Sequence, residues 1–341
     1  MKSAQSLFLE NHENEKRNLH ELLDPLPSVE SRLAGLNIYH GFKGHVNNRN
    51  NPLSIPFEGQ GMEFRAVCRS GRAGRLEPLR PPIEWDGDLA YGGCVIAEEN
   101  VVILQNGRQV PYRWPVNRRP YVFLEQPESF KFCRRHFTLA SLRDEAQGWR
   151  PGASVFRARI LDLHAAAAAL PSYVLLWNGV DAGASIPDRY HVHVVPRDGR
   201  TLAIQQAAWR MTSLRSGPSV LRLSEEVWPL AAFRVTGPPE FVADEMLRLA
   251  RGWSRAAGAR ATESVAAFVE DGHVVFIYVP RDRKRERSET FGAAVGAYEA
   301  AVGVFVFGSE EQCRRMTAGE MGFEKLWQIL REVRPEMECN L

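Results

Sequence analysis

The hydrophobic pattern changes period along the chain, and each change marks an element. Residues 3–36 carry leucines at helical spacing (Leu7, Leu19, Leu22, Leu23, Leu33), and Pro25 and Pro27 break the run. Residues 41–60 are rich in Gly, Asn and Pro, and 47–52 read as loop. Residues 64–68 predict a short strand, and 69–87 a basic, proline-rich linker with Arg69, Arg72, Arg75 and Arg80. Around Asn106-Gly107 the pattern predicts a hairpin, because Asn-Gly favours a tight primed turn. Residues 121–124 and 131–140 follow as strands, the second carrying His136, and 155–170 as an alanine-rich helix. Two strands, 173–177 and 190–195, then flank a loop of small residues at 179–187. In the second half, 228–236 reads as a strand, 240–257 as an amphipathic helix and 273–280 as an apolar strand. Residues 281–287 read as a solvated charged loop and 323–333 as a closing helix.

The chemistry concentrates around the two middle strands. Side chains at i and i+2 of a strand share a face. His191 and His193 therefore point one way, and Val192 and Val194 the other. The loop before them holds Gly183, Ala184 and Ser185, whose amides and hydroxyl suit anionic oxygens. An imidazole beside bound phosphate can attack phosphorus.

At these residues the chain resembles the histidine-triad superfamily, in its transferase and phosphorylase branch. That branch carries an Asn and then Gly-Ala-Ser-x-Pro-His-x-His-x-Gln; here Asn178 and Gly183-Ala184-Ser185-Ile186-Pro187 match. Three registers place the histidines. Counted without a gap, Asp188 and Tyr190 take their positions. Counted back from Val194-Val195-Pro196-Arg197, His191 is the nucleophile, His193 the third position, and Arg189 stands where the first His would be. In the third register His191 is first and His193 the nucleophile, with Val195 in place of Gln. The second is preferred because it needs one inserted residue where the third needs three. His136-Phe-Thr followed by a turn with Gln147, and Gly296-Ala-Tyr-Glu299, also resemble motifs of the branch.

The resemblance implies an α+β fold of two related halves, each an antiparallel sheet with packed helices. It divides the chain into an N-terminal extension (1–60), a half carrying the site (61–200) and a second half (201–341). It implies a nucleotidyltransferase or phosphorylase acting on a nucleoside polyphosphate or nucleotide sugar through a nucleotidyl-histidine. His191 and His193 are its catalytic residues, with Asn178, Gly183, Ala184, Ser185, Arg189 and Arg197 on the substrate. No cofactor is required, though Mg²⁺ can arrive with the nucleotide, and a homodimer is allowed. The rivals are a nucleotide-binding protein without turnover, a nucleotide hydrolase, and a metal enzyme ligated by His191 and His193, which would need a further ligand.

Composition narrows this a little. A net charge of +2 supplies no global pull toward nucleic acid. No apolar run approaches the ~20 residues of a membrane helix, and the first residues do not read as a signal peptide. Cys68, Cys94, Cys133, Cys313 and Cys339 are scattered, with no C-x-x-C pair. That predicts a reducing, cytoplasmic setting and no structural zinc.

Overall fold

A computed structural model describes residues 17–42, 53–68, 112–126, 133, 135–143, 145, 147–148, 153–184, 189–207, 210–211, 219–223 and 226–336. A short helix over 17–23 precedes α1 (Val29–Phe42), with the break at Pro25 and Pro27 as expected. The hairpin β1 (Leu53–Gly59) and β2 (Met62–Cys68) follows. The loop expected at 47–52 lies outside the described residues, and β1, just after it, is paired along its whole length with β2. The expected linker at 69–87 and the Asn106-Gly107 turn lie outside the described residues.

β3 (Tyr112–Val116) and β4 (Arg119–Glu125) are joined at Asn117 and Arg118, whose φ of 47° and 64° give the primed two-residue turn. Next come β5 (Phe137–Ser141), α2 (Ala153–Ala169), β6 (Tyr173–Asn178) and β7 (His191–Pro196). The second half runs through α3 (Ala203–Gln206), β8 (Arg210–Met211), β9 (Ser219–Leu223), β10 (Ala232–Thr236) and α4 (Pro239–Ala257). It continues with the long hairpin β11 (Ala261–Glu270) and β12 (His273–Asp282). The chain closes with β13 (Arg287–Ser288), β14 (Ala293–Ala294), α5 (Ala297–Ala300), β15 (Val304–Phe307), α6 (Glu310–Thr317) and α7 (Phe323–Glu332).

Ten strands form one antiparallel sheet in the order β3-β4-β5-β7-β6-β11-β12-β10-β9-β8. Each half lays down three strands, a helix and two more strands, and in both the last strand inserts between the third and fourth. The two halves meet at β6 and β11, so they share a continuous sheet, with Ser264 opposite Asn178 at the seam. One face is covered by α1, α2 and α4, and buries Trp177, Val192, Val194, Trp253 and Tyr278. The other is covered by the small sheet β1-β2-β15 and by α3, α5, α6 and α7. Registers relate the halves. Tyr173, which opens β6, faces Pro196, and Ala261, which opens β11, faces Asp282. Five residues back from Pro196 and Asp282 stand His191 and Ile277; three back stand His193 and Val279. The second half thus has buried aliphatic side chains where the first has imidazoles.

Two expectations change. The charge run at 281–287 is not wholly a solvated loop. Arg281 and Asp282 are buried at the end of β12, and the Arg281 Nη1 donates to Val295 O at 2.8 Å and to Ser264 Oγ at 3.2 Å. The cysteines are not all unpaired. Cys68, at the end of β2, is disulfide-bonded to Cys313 on α6 across 245 residues of sequence, a separation at which spacing carries no signal. No described helix is long and apolar enough to cross a membrane.

Candidate active site

His191 and His193 leave the same face of β7, opposite Val192 and Val194, as the period of two requires. His191 is buried and His193 partly exposed. Their rings meet edge to face, with centroids 5.7 Å apart. His191 Nδ1 lies 2.8 Å from the carbonyl oxygen of Arg189. A carbonyl oxygen only accepts, so Nδ1 carries the hydrogen and Nε2 the lone pair. His193 Nδ1 lies 3.0 Å from Nε2 of His136, so one ring donates to the other. His136 stands one residue before β5, whose Phe137 faces Val194, and this register delivers it to the histidine face. Read from sequence, His136 is more readily a structural residue or a phosphate contact than a neighbour of His193.

The loop after β6 is held by the second half. Gly179 donates its N–H to Glu263 O at 2.8 Å, and any Cβ there would come within 2.5 Å of that same oxygen. Thr262 Oγ1 donates to Val180 O at 2.6 Å, and Arg283 lies 3.7 Å from Asp181. Gly183 has φ of 94°, a conformation that favours glycine, and its N–H donates to Glu286 Oε1 at 3.1 Å. A carboxylate therefore sits on one amide expected to meet phosphate. Ala184 is described and half-buried; Ser185 lies outside the described residues.

The other expected substrate residues are engaged with protein. Asn178 Oδ1 accepts from Ala297 N at 2.6 Å, tying β6 to α5, and its Nδ2 reaches Gly183 O at 3.4 Å. Arg189 is buried, with Nη1 donating to Arg143 O at 2.8 Å. Arg197 donates to Val269 O and to Gln205 Oε1 and lies over the Phe268 ring; burial holds its guanidinium below the usual range. It lines a cleft of about 200 Å³ beyond the end of β7, with Arg65, Arg200 and Tyr298. The structure thus groups His191, His193 and His136, sets Asn178 and Gly183 in a brace to the second half, and places Arg197 further along the strand. Among the described residues no group of three or more His, Cys, Asp or Glu is arranged to hold a metal ion.

The fold is shared with solved structures of a yeast phosphorylase. A family described as a domain of unknown function, DUF4922, matches residues 88–196, ending with β7. Among solved structures, that of yeast Ap4A phosphorylase Apa2 is similar, with a TM-score of 0.57 at 11% identity over 90% of this chain and 95% of that one. The same yeast protein in complex with AMP has a TM-score of 0.57 at 11% identity, covering 90% and 97% of the two chains. Its complex with Ap4A has a TM-score of 0.56 at 12% identity, covering 89% and 97%. No curated protein matches the sequence.

Proposed function

We propose that this chain is a phosphorylase or nucleotidyltransferase that acts on a nucleoside polyphosphate or nucleotide sugar through a nucleotidyl-histidine at His191. The carrying observation is the 2.8 Å contact between His191 Nδ1 and Arg189 O, which directs the nucleophilic lone pair to Nε2. It favours the register in which His191 is the nucleophile. His191 Nε2 attacks the α-phosphorus, the N–P bond forms, and the P–O bond to the leaving group breaks. His193, partly exposed and coupled to His136, gives a proton to the departing oxygen. The Arg189 guanidinium is occupied by Arg143 O, which favours His193 for that role. Phosphate, a sugar phosphate or water then takes the nucleotidyl group and restores the imidazole. That a protein of this fold is known with AMP and with Ap4A bound supports a nucleotide as substrate.

The rival with an observation in its favour is nucleotide binding without turnover, since Glu286 occupies the Gly183 amide. One experiment separates the two readings. The protein is incubated with Ap4A or a nucleoside triphosphate labelled at the α-phosphate, quenched in base and separated on a denaturing gel. The expected result is acid-labile label on wild type and none on His191→Ala. Calorimetric binding of the same nucleotide with no label on wild type would select the binding protein.

A further inference from the structure

The strand pair that carries the site comes apart at His191. β6 and β7 are paired from Tyr173–Pro196 to Leu176–His193. Two residues further on, Asn178 and His191 would face each other, and a third residue stands between them. The Gln147 side chain, fully buried, accepts from His191 N at 2.8 Å through Oε1 and donates to Asn178 O at 2.8 Å through Nε2. The same Nε2 reaches His191 O at 2.9 Å. A carboxamide offers a donor and an acceptor in one plane, as a peptide group does. It therefore replaces a direct rung and spreads the strands while still pairing Asn178 O, His191 N and His191 O.

The wedge is held from behind. Gln147 O accepts from Trp177 Nε1 at 3.1 Å, and Gly148 O from Arg159 Nη1 at 2.8 Å. The Glu145 carboxylate receives Arg119 at 2.7 Å, and its carbonyl receives Tyr190 N at 2.6 Å. On the far side, His191 faces Ala140 of β5, and Ser141 N donates to Tyr190 O at 2.9 Å. The backbone of Tyr190 and His191 is thus gripped from both sides, directly beside the Arg189 carbonyl that sets the imidazole tautomer.

We infer that Gln147 is a positioning residue: it wedges β6 from β7 and fixes the His191 main chain so that Nδ1 stays on the Arg189 carbonyl and Nε2 faces the phosphorus. The functional half of this rests on His191 being the nucleophile; the tautomer half does not.

The test uses the full chain labelled with ¹⁵N-histidine, with Ap4A and inorganic phosphate as the kinetic probe. His191 resonances are assigned by their loss in His191→Ala. In wild type Nδ1 is protonated. In Gln147→Met, of similar volume but with no amide, the two tautomers mix. Its kcat falls about 100-fold, the scale of a displaced reacting atom, while KM stays within about threefold. Gln147→Glu adds a readout that lost packing does not give. Its carboxyl, buried and so titrating above the usual range, donates only while protonated. Each measured against wild type at the same pH, its kcat and its Nδ1 protonation approach wild type in mild acid and fall as pH rises. A folded Gln147→Met with the wild-type nitrogen spectrum and kcat overturns the inference. If that variant does not fold, a Gln147→Glu whose ratio to wild type is flat with pH overturns it. Should wild type turn over no Ap4A, the reaction proposed above fails, and the nitrogen spectra still decide the wedge.

Discussion

At the scale of single residues, the loop between β6 and β7 is set by what its glycines touch. Gly179 packs against Glu263 O and Thr262 Oγ1, each 2.5 Å from where a Cβ would stand, and backbone in a sheet cannot yield easily. Gly179→Ala is expected to lose about 2–3 kcal/mol of stability, read from the urea midpoint. An unchanged midpoint would mean the loop adjusts freely. Glu286 gives the second residue-level expectation. A hydrogen bond to a charged group contributes about 1.5–3 kcal/mol, and here the acceptor competes with any phosphate for Gly183 N–H. Glu286→Ala should bind nucleoside triphosphate about tenfold more tightly by calorimetry; equal or weaker binding would show that the carboxylate braces the loop without blocking it.

Elements were legible where a local pattern decided them. α2, α4, α7, β6, β7 and β12 follow from local pattern and stop signals: α4 and α7 each bury one stripe, and β6 and β12, covered on both faces, read as continuous apolar runs. β11 was not found. Ala261 to Glu270 is rich in alanine and carries Glu263 and Ser264, and it is a strand because β6 and β12 pair it on both sides. β1 contains Pro56 and depends likewise on its neighbour. The buried Arg281 was hidden because its acceptors, Ser264 and Val295, lie on other elements. At the site, the shared face of His191 and His193 was readable from spacing. The Arg189 contact, His136 and the Gln147 wedge depend on registers between strands distant in sequence. The packing of α2 on the sheet also carries a pH dependence. His164 lies flat against Phe276 of β12, with ring centroids 6.2 Å apart, and its ring N–H donates to the Gly237 backbone carbonyl. Burial pushes its imidazole below the ordinary value and outweighs that backbone bond. The unfolded chain thus takes the proton more readily than the folded one. Stability is present above about pH 6.5, the ordinary histidine value, and is lost as pH falls through it. The denaturation midpoint should drop between pH 7.5 and 5.5, and His164→Phe should flatten that slope; a slope unchanged in the variant would assign it to other groups.

For the whole molecule, the face of the sheet that bears the histidines is roofed by segments from both ends of the chain. β2 pairs with β1 on one side and, in parallel, with β15 on the other, where Cys68 faces Phe307. Phe64 of β2 stacks on Phe323 of α7, with centroids 4.8 Å apart. The Cys68–Cys313 bond ties this roof together across 245 residues. Closing so long a loop removes chain entropy from the unfolded state, about 5 kcal/mol in the loop-closure account. The native contacts beneath it are extensive enough to persist without the bond, since Phe64, Trp228, Phe305 and Trp327 are fully or nearly fully buried there. Cys313→Ser is therefore expected to fold, and to unfold at clearly lower denaturant than the oxidised wild type. Wild type in excess reductant should unfold with the variant, because the effect belongs to the bond and not to the serine. The His191–Arg189 contact lies within β7 and its preceding turn, away from the bond, so nucleotidyl labelling should survive reduction. A wild-type midpoint that does not move with reductant would mean the two thiols are unbonded in solution, and the reducing setting read from the cysteine spacing would then stand. Loss of labelling on reduction with the fold intact would instead connect the roof to the histidines through α5, whose Ala297 amide is held by Asn178.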